Sequence, residues 1–250
     1  MLTPERHALI LHLLKEKNIV KLQELVDATN TSESTIRRDL IQLEEEKKLK
    51  RIHGGASRLQ GKLQEPSMKE KSSKNLQTKQ KIAHYAASLI EEGDSIYIDA
   101  GSTTTEMINF FPSKEIVVVT NGLMHLNQLL DKGIPTYVIG GFAKAKTKAV
   151  IGRGAIESLE QYRFDKCFIG VNGIHPQYGY TTPDQEEAIL KEKAISLSRE
   201  AYVVSDNSKF SEVSFAKIAD LSKAVIITNE IEQELEQTYS SLTNIKVVTL

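Results

Sequence analysis

The run from Thr31 to Ala56 carries hydroxyl and guanidinium side chains at helical spacing, a pattern suited to hydrogen bonding with DNA. Ser32 is placed to cap a helix, because its hydroxyl can accept a free backbone N–H of the first turn. At ~100° per residue, four further polar side chains lie on the outer face of this helix or beside it: Ser34, Thr35, Arg37 and Arg38. Arginine can donate two hydrogen bonds to a guanine in the major groove, so we expect this helix to read bases.

A basic strand and a glycine turn follow this helix. The strand carries Lys50, Arg51 and His53, which would lie against phosphates, and Gly54-Gly55 permit a tight turn. Two helices are indicated upstream, one opened by Thr3-Pro4 and one over residues 21–29. By itself the third helix could be an amphipathic helix with a solvated face. Three helices followed by a basic hairpin instead predict a winged helix-turn-helix, which places its recognition helix in the major groove.

The charge of the chain is divided between its two ends. Residues 1–81 carry 17 Lys and Arg against 11 Asp and Glu, a net charge of +6, and residues 82–250 carry 15 against 22, a net charge of −7. A positive end favours the phosphates of double-stranded DNA, and an acidic remainder limits non-specific binding. The lysine- and serine-rich stretch between them predicts a linker over residues 59–78, after a DNA-binding domain over 3–58 and before a second domain over 79–250.

Length and composition exclude several classes of protein. A chain of 250 residues supports one or two domains, and its sequence indicates neither a membrane-spanning stretch nor a signal peptide. Cys167 is the only cysteine, which fits a reducing compartment, and its apolar neighbours favour a buried residue over a nucleophile. The six histidines lack metal-ligand spacing. We therefore expect a soluble, cytoplasmic protein without a metal site.

From about residue 79 onward, short apolar strands alternate with helices. Helices are indicated over residues 81–91, 102–111 and 123–132, and strands over residues 95–99, 115–120, 136–139, 164–171, 201–205, 224–228 and 245–248. Such alternation predicts an α/β domain with a largely parallel sheet and helices on both faces. Ligands of such sheets bind beyond the carboxyl ends of the strands.

Polar residues gather where the predicted strands end. Asp99 closes the strand SIYID, and Gly101 then permits a sharp turn. The next four residues offer hydroxyls and free first-turn N–H groups to an anion: Ser102, Thr103, Thr104 and Thr105. No G-x-G-x-x-G follows a strand and no G-x-x-x-x-G-K-[ST] occurs, so a phosphate monoester fits better than a dinucleotide or a nucleoside triphosphate. A loop that only caps a helix is an equally good interpretation of this segment alone.

Four more turns of polar residues or glycine occupy the same place after other strands. They contribute Asn121, Gly140, Gly141, Asn172, Asp206 and Lys209. Glu187 and Lys191 lie one helical turn apart, which alone predicts a surface salt bridge worth a few tenths of a kcal/mol, and Lys209 alone would be a surface lysine. The repeated position of the turns favours a single ligand site.

The first part of the chain resembles a known family of bacterial repressors. TIRRDL (Thr35 to Leu40) and KRIHGGA (Lys50 to Ala56) are similar to the N-terminal signature of the DeoR family. The resemblance extends over about residues 3–58 and implies binding to operator DNA. One departure is Lys47, where family members often carry glycine, and a lysine there is expected to lengthen the recognition helix slightly.

The second part resembles the sensor domain of the same family. DAGSTT, TNG, the paired glycines, EAILK and DNSKF carry this likeness. It implies a fold similar to ribose-5-phosphate isomerases and coenzyme A transferases, with a site for phosphorylated sugars. Gly101 to Thr105 would cradle the phosphate, and the sugar pocket would be lined by Asp99, Asn121, Glu187, Lys191, Asp206 and Lys209. Within the family, the chain most resembles repressors of fructose operons in low-GC Gram-positive bacteria, which implies fructose 1-phosphate as the effector.

These observations predict a repressor without catalytic residues or cofactors. We expect it to bind a repeated or palindromic site as a dimer or larger homo-oligomer. A hypothesis from another class is a DNA-tethered sugar-phosphate isomerase, with Asp99 or Glu187 as base and Lys191 stabilising the enediolate. A ligand-free architectural protein is disfavoured by the turns at the strand ends. Tagatose, galactose and glycerol phosphates are alternative effectors. The sequence also leaves two alternatives for the effector's action, release from DNA or tighter binding to it.

Overall fold

The computed structural model describes residues 1–17, 19–52, 54–58, 61, 63–111 and 115–248. The chain divides into two compact units, Met1–Gly61 and Lys62–Leu250. The first unit consists of α1 (Thr3–Lys17), β1 (Ile19–Lys21), α2 (Leu22–Thr29), α3 (Glu33–Glu45), β2 (Leu49–Ile52) and β3 (Gly55–Arg58). Its core is formed by apolar side chains from all three helices, including Ile10, Leu14, Leu25, Ile36 and Leu43.

The three strands of the first unit form a small sheet with β3 in the centre, antiparallel to both β1 and β2. A Cβ on Gly55 would lie 2.2 Å from the Val20 carbonyl oxygen, so the pairing of β3 with β1 requires glycine there. Gly54 has a φ of 79° and makes the turn before it. The winged helix-turn-helix prediction is confirmed, and the sequence analysis missed β1 because three residues carry no periodic signal.

Lys47 does not lengthen the recognition helix, contrary to expectation. Helix α3 ends at Glu45, and Lys47 adopts a φ of 55°. The N–H of Lys48 donates to the Leu43 carbonyl oxygen at 2.9 Å, which closes the helix end. This is the left-handed terminal position at which glycine is usual, so the lysine adopts a backbone conformation that favours glycine.

The second unit opens inside the predicted linker. Helices α4 (Met68–Ser73) and α5 (Leu76–Ser88) occupy most of residues 68–78, and Met68 is buried. The Ser67 hydroxyl accepts from the Glu70 N–H at 3.3 Å, and Glu70 accepts from the Ser67 N–H at 2.6 Å. This reciprocal capping box is visible in the sequence as S-x-x-E, and the high lysine content of the segment obscured it.

The remaining elements are β4 (Ser95–Ile98), α6 (Ser102–Ile108), β5 (Val117–Thr120), α7 (Leu126–Asp131), β6 (Thr136–Val138), β7 (Phe142–Lys144), β8 (Ala149–Ile151), α8 (Arg153–Leu159), β9 (Phe164–Ile169), β10 (Gly173–His175), β11 (Gly179–Thr182), α9 (Gln185–Ser196), β12 (Ser198–Val204), β13 (Ala216–Ala219), β14 (Val225–Asn229), α10 (Gln233–Ser240) and β15 (Ile245–Val248). The pairs β7–β8 and β10–β11–β13 form two small antiparallel sheets. Their strands have only three or four residues, too few for the sequence pattern to predict.

Seven strands of the described chain form a parallel sheet in the order β15-β14-β12-β9-β4-β5-β6. Alternate residues of β4 enter different cores. Tyr97 packs in the core that includes residues of α8, α9 and α10, whereas Ile96 and Ile98 pack with α5, α6 and α7. Helices therefore cover both faces, and the α/β prediction is confirmed.

Cys167 lies in the central strand β9 and is fully buried, as its apolar neighbours predict. Burial raises the pKa of its thiol to about 12, so the thiolate form is disfavoured and the residue acts as a small core side chain. Across the described residues, no helix is both long enough and apolar enough to cross a membrane.

Candidate functional site

Helix α3 begins where the sequence predicts and presents polar groups outward. Ser32 is extended, and its Oγ accepts a hydrogen bond from the Thr35 N–H at 3.3 Å. The apolar stripe of the helix is buried, whereas Ser34 and Arg38 are exposed. Hydroxyl and guanidinium groups therefore project from a helix whose inner face is fixed by packing.

The two arginines of α3 have different surroundings. Arg37 pairs with Glu33 one turn earlier, with 2.6 Å between Nη2 and Oε1. The exposed side chain of Arg38 has no ion pair or hydrogen bond with any residue that the structure describes. Arg38 can therefore contact a base without losing a partner, whereas Arg37 must first leave Glu33.

Two of the three predicted wing residues, Lys50 and Arg51, lie on β2 of the β2–β3 hairpin. Lys50 is half-buried, and Arg51 is exposed. The backbone N–H of Arg51 donates to Glu44 Oε1 at 2.8 Å, and its side chain pairs with the other oxygen of Glu44. His53, the third predicted residue, lies outside the described residues.

Asp39, within the TIRRDL run, has a role that the sequence analysis missed. Arg6 of α1 donates to both of its carboxylate oxygens, with 2.9 Å between Nη2 and Oδ1, and His7 Nε2 lies 3.2 Å from Oδ1. Burial alone would raise the pKa of Asp39, but the hydrogen bonds from Arg6 and His7 outweigh it and hold the pKa below its usual value. The cluster of Arg6, His7 and Asp39 fixes α1 against the recognition helix. The sequence did contain a signal for this buried ion pair, because Asp39 is an acidic residue on the apolar face of that helix.

In the second unit, parallel strands bring their polar ends to one edge of the sheet. Asp99 follows β4, Asn121 follows β5 and Asp206 lies beyond the end of β12. Asp99 is only 2% exposed, and its Oδ2 accepts from the Gly170 N–H at 3.1 Å and forms an ion pair with Lys191 of α9. The predicted residues Asp99 and Lys191 are thus in direct contact.

Asn121 is buried and holds the turn after β4. Its Oδ1 accepts from the Ala100 N–H at 2.9 Å, and its Nδ2 donates to the Val150 carbonyl oxygen at 3.2 Å. Both ends of the amide are therefore bonded within the protein, and the residue positions the Asp99 turn from the neighbouring strand.

Four hydroxyl side chains follow Gly101 in the predicted phosphate loop: Ser102, Thr103, Thr104 and Thr105. The Thr104 hydroxyl accepts from the Gly101 N–H at 2.9 Å and donates to a backbone carbonyl. Thr105 Oγ1 lies 2.8 Å from the Gly101 carbonyl oxygen. Ser102 and Thr103 have no side-chain hydrogen bond within the described part of the chain. Two of the four hydroxyls are therefore free to bind an anion.

His125 is a fully buried residue that the sequence analysis did not single out. Its Nδ1 lies 2.8 Å from Thr120 Oγ1, and its Nε2 lies 3.1 Å from Thr105 Oγ1. Thr120 donates its one hydroxyl proton to the Ile98 carbonyl oxygen, so Nδ1 carries the imidazole proton. Nε2 lies beside the Thr105 hydroxyl, whose one proton is donated to the Gly101 carbonyl oxygen. Burial lowers the pKa of His125 to about 4, which keeps it neutral. The imidazole thus lies between the Thr120 and Thr105 hydroxyls.

Lys144 of β7 holds three carboxylates. Its Nζ lies 2.7 Å from Glu65, 2.8 Å from Asp184 and 2.9 Å from Glu187. Burial alone would lower the pKa of Lys144, but these carboxylates raise it above its usual value. The three carboxylates lie close enough together to hold a cation, and the ammonium of Lys144 provides the positive charge there.

Glu187 and Lys191 do not form the surface salt bridge that their spacing alone predicts. Both are buried, at 7% and 5% exposure. Glu187 bonds to Lys144 and to the Thr147 hydroxyl, at 2.8 Å from the latter, whereas Lys191 pairs with Asp99. The surface interpretation of this pair is wrong, because the fold gives each residue a separate buried partner.

Asp206 ties the DNSKF turn to the start of α5. Its Oδ1 accepts from the Ser208 N–H at 3.0 Å and from Asn75 Nδ2 at 3.2 Å. Burial alone would raise the pKa of Asp206, but the charge of Lys209 and the bonds from Ser208 hold it below its usual value. Lys209 itself is half-buried rather than at the surface.

Gly140, Gly141 and Asn172 make packing and loop contacts. A Cβ on Gly141 would lie 2.7 Å from the Ile151 carbonyl oxygen, so this glycine permits close approach to β8. Gly140 is exposed. The Asn172 Oδ1 accepts from the Thr182 hydroxyl at 3.1 Å. Within the described chain, none of these three residues forms a hydrogen bond with Asp99 or Lys191.

A winged helix with an outward guanidinium, followed in one chain by an α/β unit with a buried polar group at its carboxyl edge, defines a ligand-controlled DNA-binding regulator. Comparisons with known proteins agree. The family profile of the DeoR-like helix-turn-helix domain matches residues 6–61, and that of the DeoR C-terminal sensor domain matches residues 74–230.

Individual relatives resemble the chain over nearly its whole length. It is 53% identical over 249 residues to the HTH-type transcriptional regulator FruR of Bacillus subtilis (strain 168), covering 99% of each chain. It is 34% identical over 238 residues to the lactose phosphotransferase system repressor of Staphylococcus aureus (strain N315), covering 93% of this chain and 94% of the relative. Ribose 5-phosphate isomerase A from Neisseria gonorrhoeae aligns with a TM-score of 0.40 and 18% identity, over 54% of this chain and 53% of that chain.

The chain belongs to the DeoR family. Its first unit is a DNA-binding domain and its second unit is a sensor domain for a small-molecule effector. It is a transcriptional repressor rather than an enzyme, which removes the hypothesis of a DNA-tethered isomerase.

Proposed function

We propose that this repressor controls an operon for the utilisation of a sugar, and that the sugar is fructose. The repressor leaves its operator when fructose 1-phosphate binds the second unit. The observation that carries the proposal is the group formed at one edge of the parallel sheet by the Asp99–Lys191 pair and the hydroxyls of Ser102 and Thr103. Carboxylate and ammonium groups can bind sugar hydroxyls, and hydroxyls at a first helical turn can bind phosphate. The Staphylococcus aureus relative, named for a lactose phosphotransferase system, supports a sugar-linked role.

The effector acts through its differential affinity for two arrangements of the protein. The unliganded form binds DNA, and the sugar phosphate favours an arrangement in which the winged domains no longer match the half-sites. Repeated or palindromic half-sites require at least a dimer, so the working form is a homodimer or a larger assembly in the cytoplasm. Residues 3–58 contact DNA, and residues 79–250 contact the effector. The DNA contacts are made by Ser32, Ser34, Thr35, Arg37, Arg38, Lys50, Arg51 and His53.

A melting scan of the full chain against a panel of sugar phosphates tests the effector. The panel contains fructose 1-phosphate, fructose 1,6-bisphosphate, tagatose and galactose phosphates, and glycerol 3-phosphate. A ligand at a hundred times its Kd stabilises the protein by about 2.7 kcal/mol, which a melting shift detects. A shift with a different sugar phosphate would replace fructose, and the absence of any shift would contradict the phosphate site.

Release from DNA is tested with duplexes selected from a random library by the unliganded protein. Adding fructose 1-phosphate is expected to lower the affinity for the selected duplex, measured by fluorescence anisotropy at fixed salt concentration. Unchanged affinity would contradict effector control, and tighter binding would reverse its sign.

A further inference from the structure

A buried carboxylate lies in the segment that follows the first unit. The first unit ends at Gly61, and Glu65, a few positions later, is only 6% exposed. Its Oε1 lies 2.9 Å from Lys71 Nζ, and its Oε2 lies 2.7 Å from Lys144 Nζ. Burial alone would raise the pKa of Glu65, but the two ammonium groups hold it below its usual value, so the carboxylate stays charged. Glu65 therefore ties this segment to β7 of the second unit.

Lys144 belongs to a cluster that contains more negative than positive charge. The Glu65 cluster consists of two ammonium groups and three carboxylates: Lys71, Lys144, Glu65, Asp184 and Glu187. Lys144 bonds to all three carboxylates, and an ammonium has only three N–H donors. Further negative charge nearby is therefore expected to weaken the attachment of one carboxylate.

Glu65 is the carboxylate of this cluster that can leave without disturbing a helix. Asp184 caps α9, because its Oδ1 accepts from the Glu187 N–H at 3.0 Å, and Glu187 lies in the first turn of that helix. Glu65 lies in neither a helix nor a strand. Its side chain can therefore turn to water by a movement of the residues around it, whereas release of the other two would strain α9.

Helix α9 connects the Glu65 cluster with the proposed effector site. Glu187 lies one turn before Lys191, about 6 Å away between Cβ atoms, and Lys191 pairs with Asp99 of that site. A sugar phosphate bound there adds a charge of about −2. Because Glu187 and Lys191 are buried, water and salt screen the resulting repulsion only weakly.

We propose that Glu65 is the switch through which the effector acts on DNA binding: it is held in the cluster in the DNA-binding form and released when the sugar phosphate binds. This inference rests on the proposed function, because it names how the same ligand is coupled to the DNA-binding unit. The two states are a paired and a solvated Glu65. The ligand's negative charge favours the solvated state, which gives the effector its differential affinity.

Glu65→Gln in the full chain tests the proposal, because it removes the charge and keeps the size of the side chain. Fructose 1-phosphate should bind this variant about three- to tenfold more tightly, since one repelling charge is gone. Its affinity for a selected duplex should fall toward that of liganded wild type, and adding fructose 1-phosphate should change that affinity by less than about twofold. Calorimetry measures the first quantity and fluorescence anisotropy at fixed salt concentration the second.

Glu160→Gln is the matched control. Glu160 pairs with Lys193 of the same helix α9 at a more exposed position, with 2.6 Å between Oε1 and Nζ. The variant removes an equal charge and breaks an ion pair of α9, but it leaves Glu65 in place. Both its effector affinity and the effect of fructose 1-phosphate on its DNA affinity should match those of wild type.

Hydrogen exchange in wild type provides a measurement without substitution. The Met68 N–H donates to the Lys146 carbonyl oxygen at 3.1 Å, three positions after Glu65. Release of Glu65 should loosen this contact, so fructose 1-phosphate is expected to speed exchange in a peptide over residues 63–73. This measurement decides the matter if Glu65→Gln does not fold.

A folded Glu65→Gln variant whose DNA affinity still responds to fructose 1-phosphate as wild type does overturns the inference and leaves the proposed function standing. Weaker effector binding by this variant, an equal change in Glu160→Gln, or unchanged or slower exchange over residues 63–73 also overturns it. Absence of any response of wild type to every sugar phosphate overturns the proposed function and this inference together.

Discussion

Lys191 on α9 donates to the Asp99 carboxylate at the end of β4, so one ion pair joins two residues that are 92 positions apart in the sequence. Both side chains are buried. The only other donor to this carboxylate among the described residues is the Gly170 N–H, at 3.1 Å. Asp99 therefore depends on Lys191 for a compensating charge, and the pair fixes α9 against the edge of the sheet.

Lys191→Met should destabilise the protein by about 3–5 kcal/mol, because it leaves the Asp99 carboxylate buried beside one neutral donor. Denaturant unfolding followed by circular dichroism measures the change. Adding Asp99→Asn to this variant should recover part of the loss, since the uncompensated charge is then removed. A cost for Lys191→Met below about 1 kcal/mol, the value typical of an exposed pair, would contradict this role of the pair.

Arg38→Ala should weaken specific DNA binding by about 1–3 kcal/mol, the value of one bidentate contact to a base. Arg37→Ala is the matched control, because it removes the same charge from a side chain that is already paired with Glu33. We expect a smaller loss for Arg37→Ala and unchanged sugar-phosphate binding for both. Anisotropy titrations with a selected duplex measure the affinities, and full affinity in Arg38→Ala would show that the recognition helix is misplaced.

The Arg6–Asp39 pair predicts a specific loss of stability in acid. The folded-state pKa of Asp39 lies below the ordinary value of 3.8, so the pair stabilises the folded protein above that pH. This contribution falls as pH drops from the ordinary value through the folded-state pKa. Asp39→Asn should cost about 3–5 kcal/mol near neutral pH.

Unfolding free energies of wild type and Asp39→Asn, measured from about pH 7 to about pH 2, check this linkage. The difference between the two curves should narrow toward the acid end, because wild-type Asp39 becomes increasingly protonated there. Curves that stay parallel over the whole range would mean that Asp39 does not titrate differently in the folded and unfolded states.

Removing the Lys144 ammonium should create a cation-dependent protein. Lys144→Ala leaves Glu65, Asp184 and Glu187 close together without their shared positive charge, so we expect destabilisation by about 3–5 kcal/mol. Carboxylate oxygens at this spacing suit Ca²⁺, which should recover part of the loss in this variant.

Melting temperatures with and without Ca²⁺ measure that recovery, and wild type should not respond to the ion at the same concentrations. Lys193→Ala is the control, because Lys193 pairs with Glu160 at a more exposed position. A Lys144→Ala variant that is as stable as wild type, or one whose melting temperature does not rise with Ca²⁺, would contradict the role given to Lys144.

The sequence by itself determined the features that neighbouring residues encode. The Ser32 cap, the apolar stripe of α3 and the strand–turn–helix around Asp99 all follow from spacing within a few residues, because capping and side-chain periodicity are local properties. The alternation of strands and helices also predicted the parallel sheet, and therefore the shared edge on which Asp99, Asn121 and Asp206 lie.

Only the tertiary structure decided which charged groups meet. Spacing paired Lys191 with Glu187, whereas the fold pairs it with Asp99 and places Lys144 beside Glu187. Likewise, nothing local joins Arg6 to Asp39. These contacts depend on the order of strands in the sheet and on the packing of helices against it. They join residues that are far apart in the chain, and a single sequence does not indicate which distant residue is the partner.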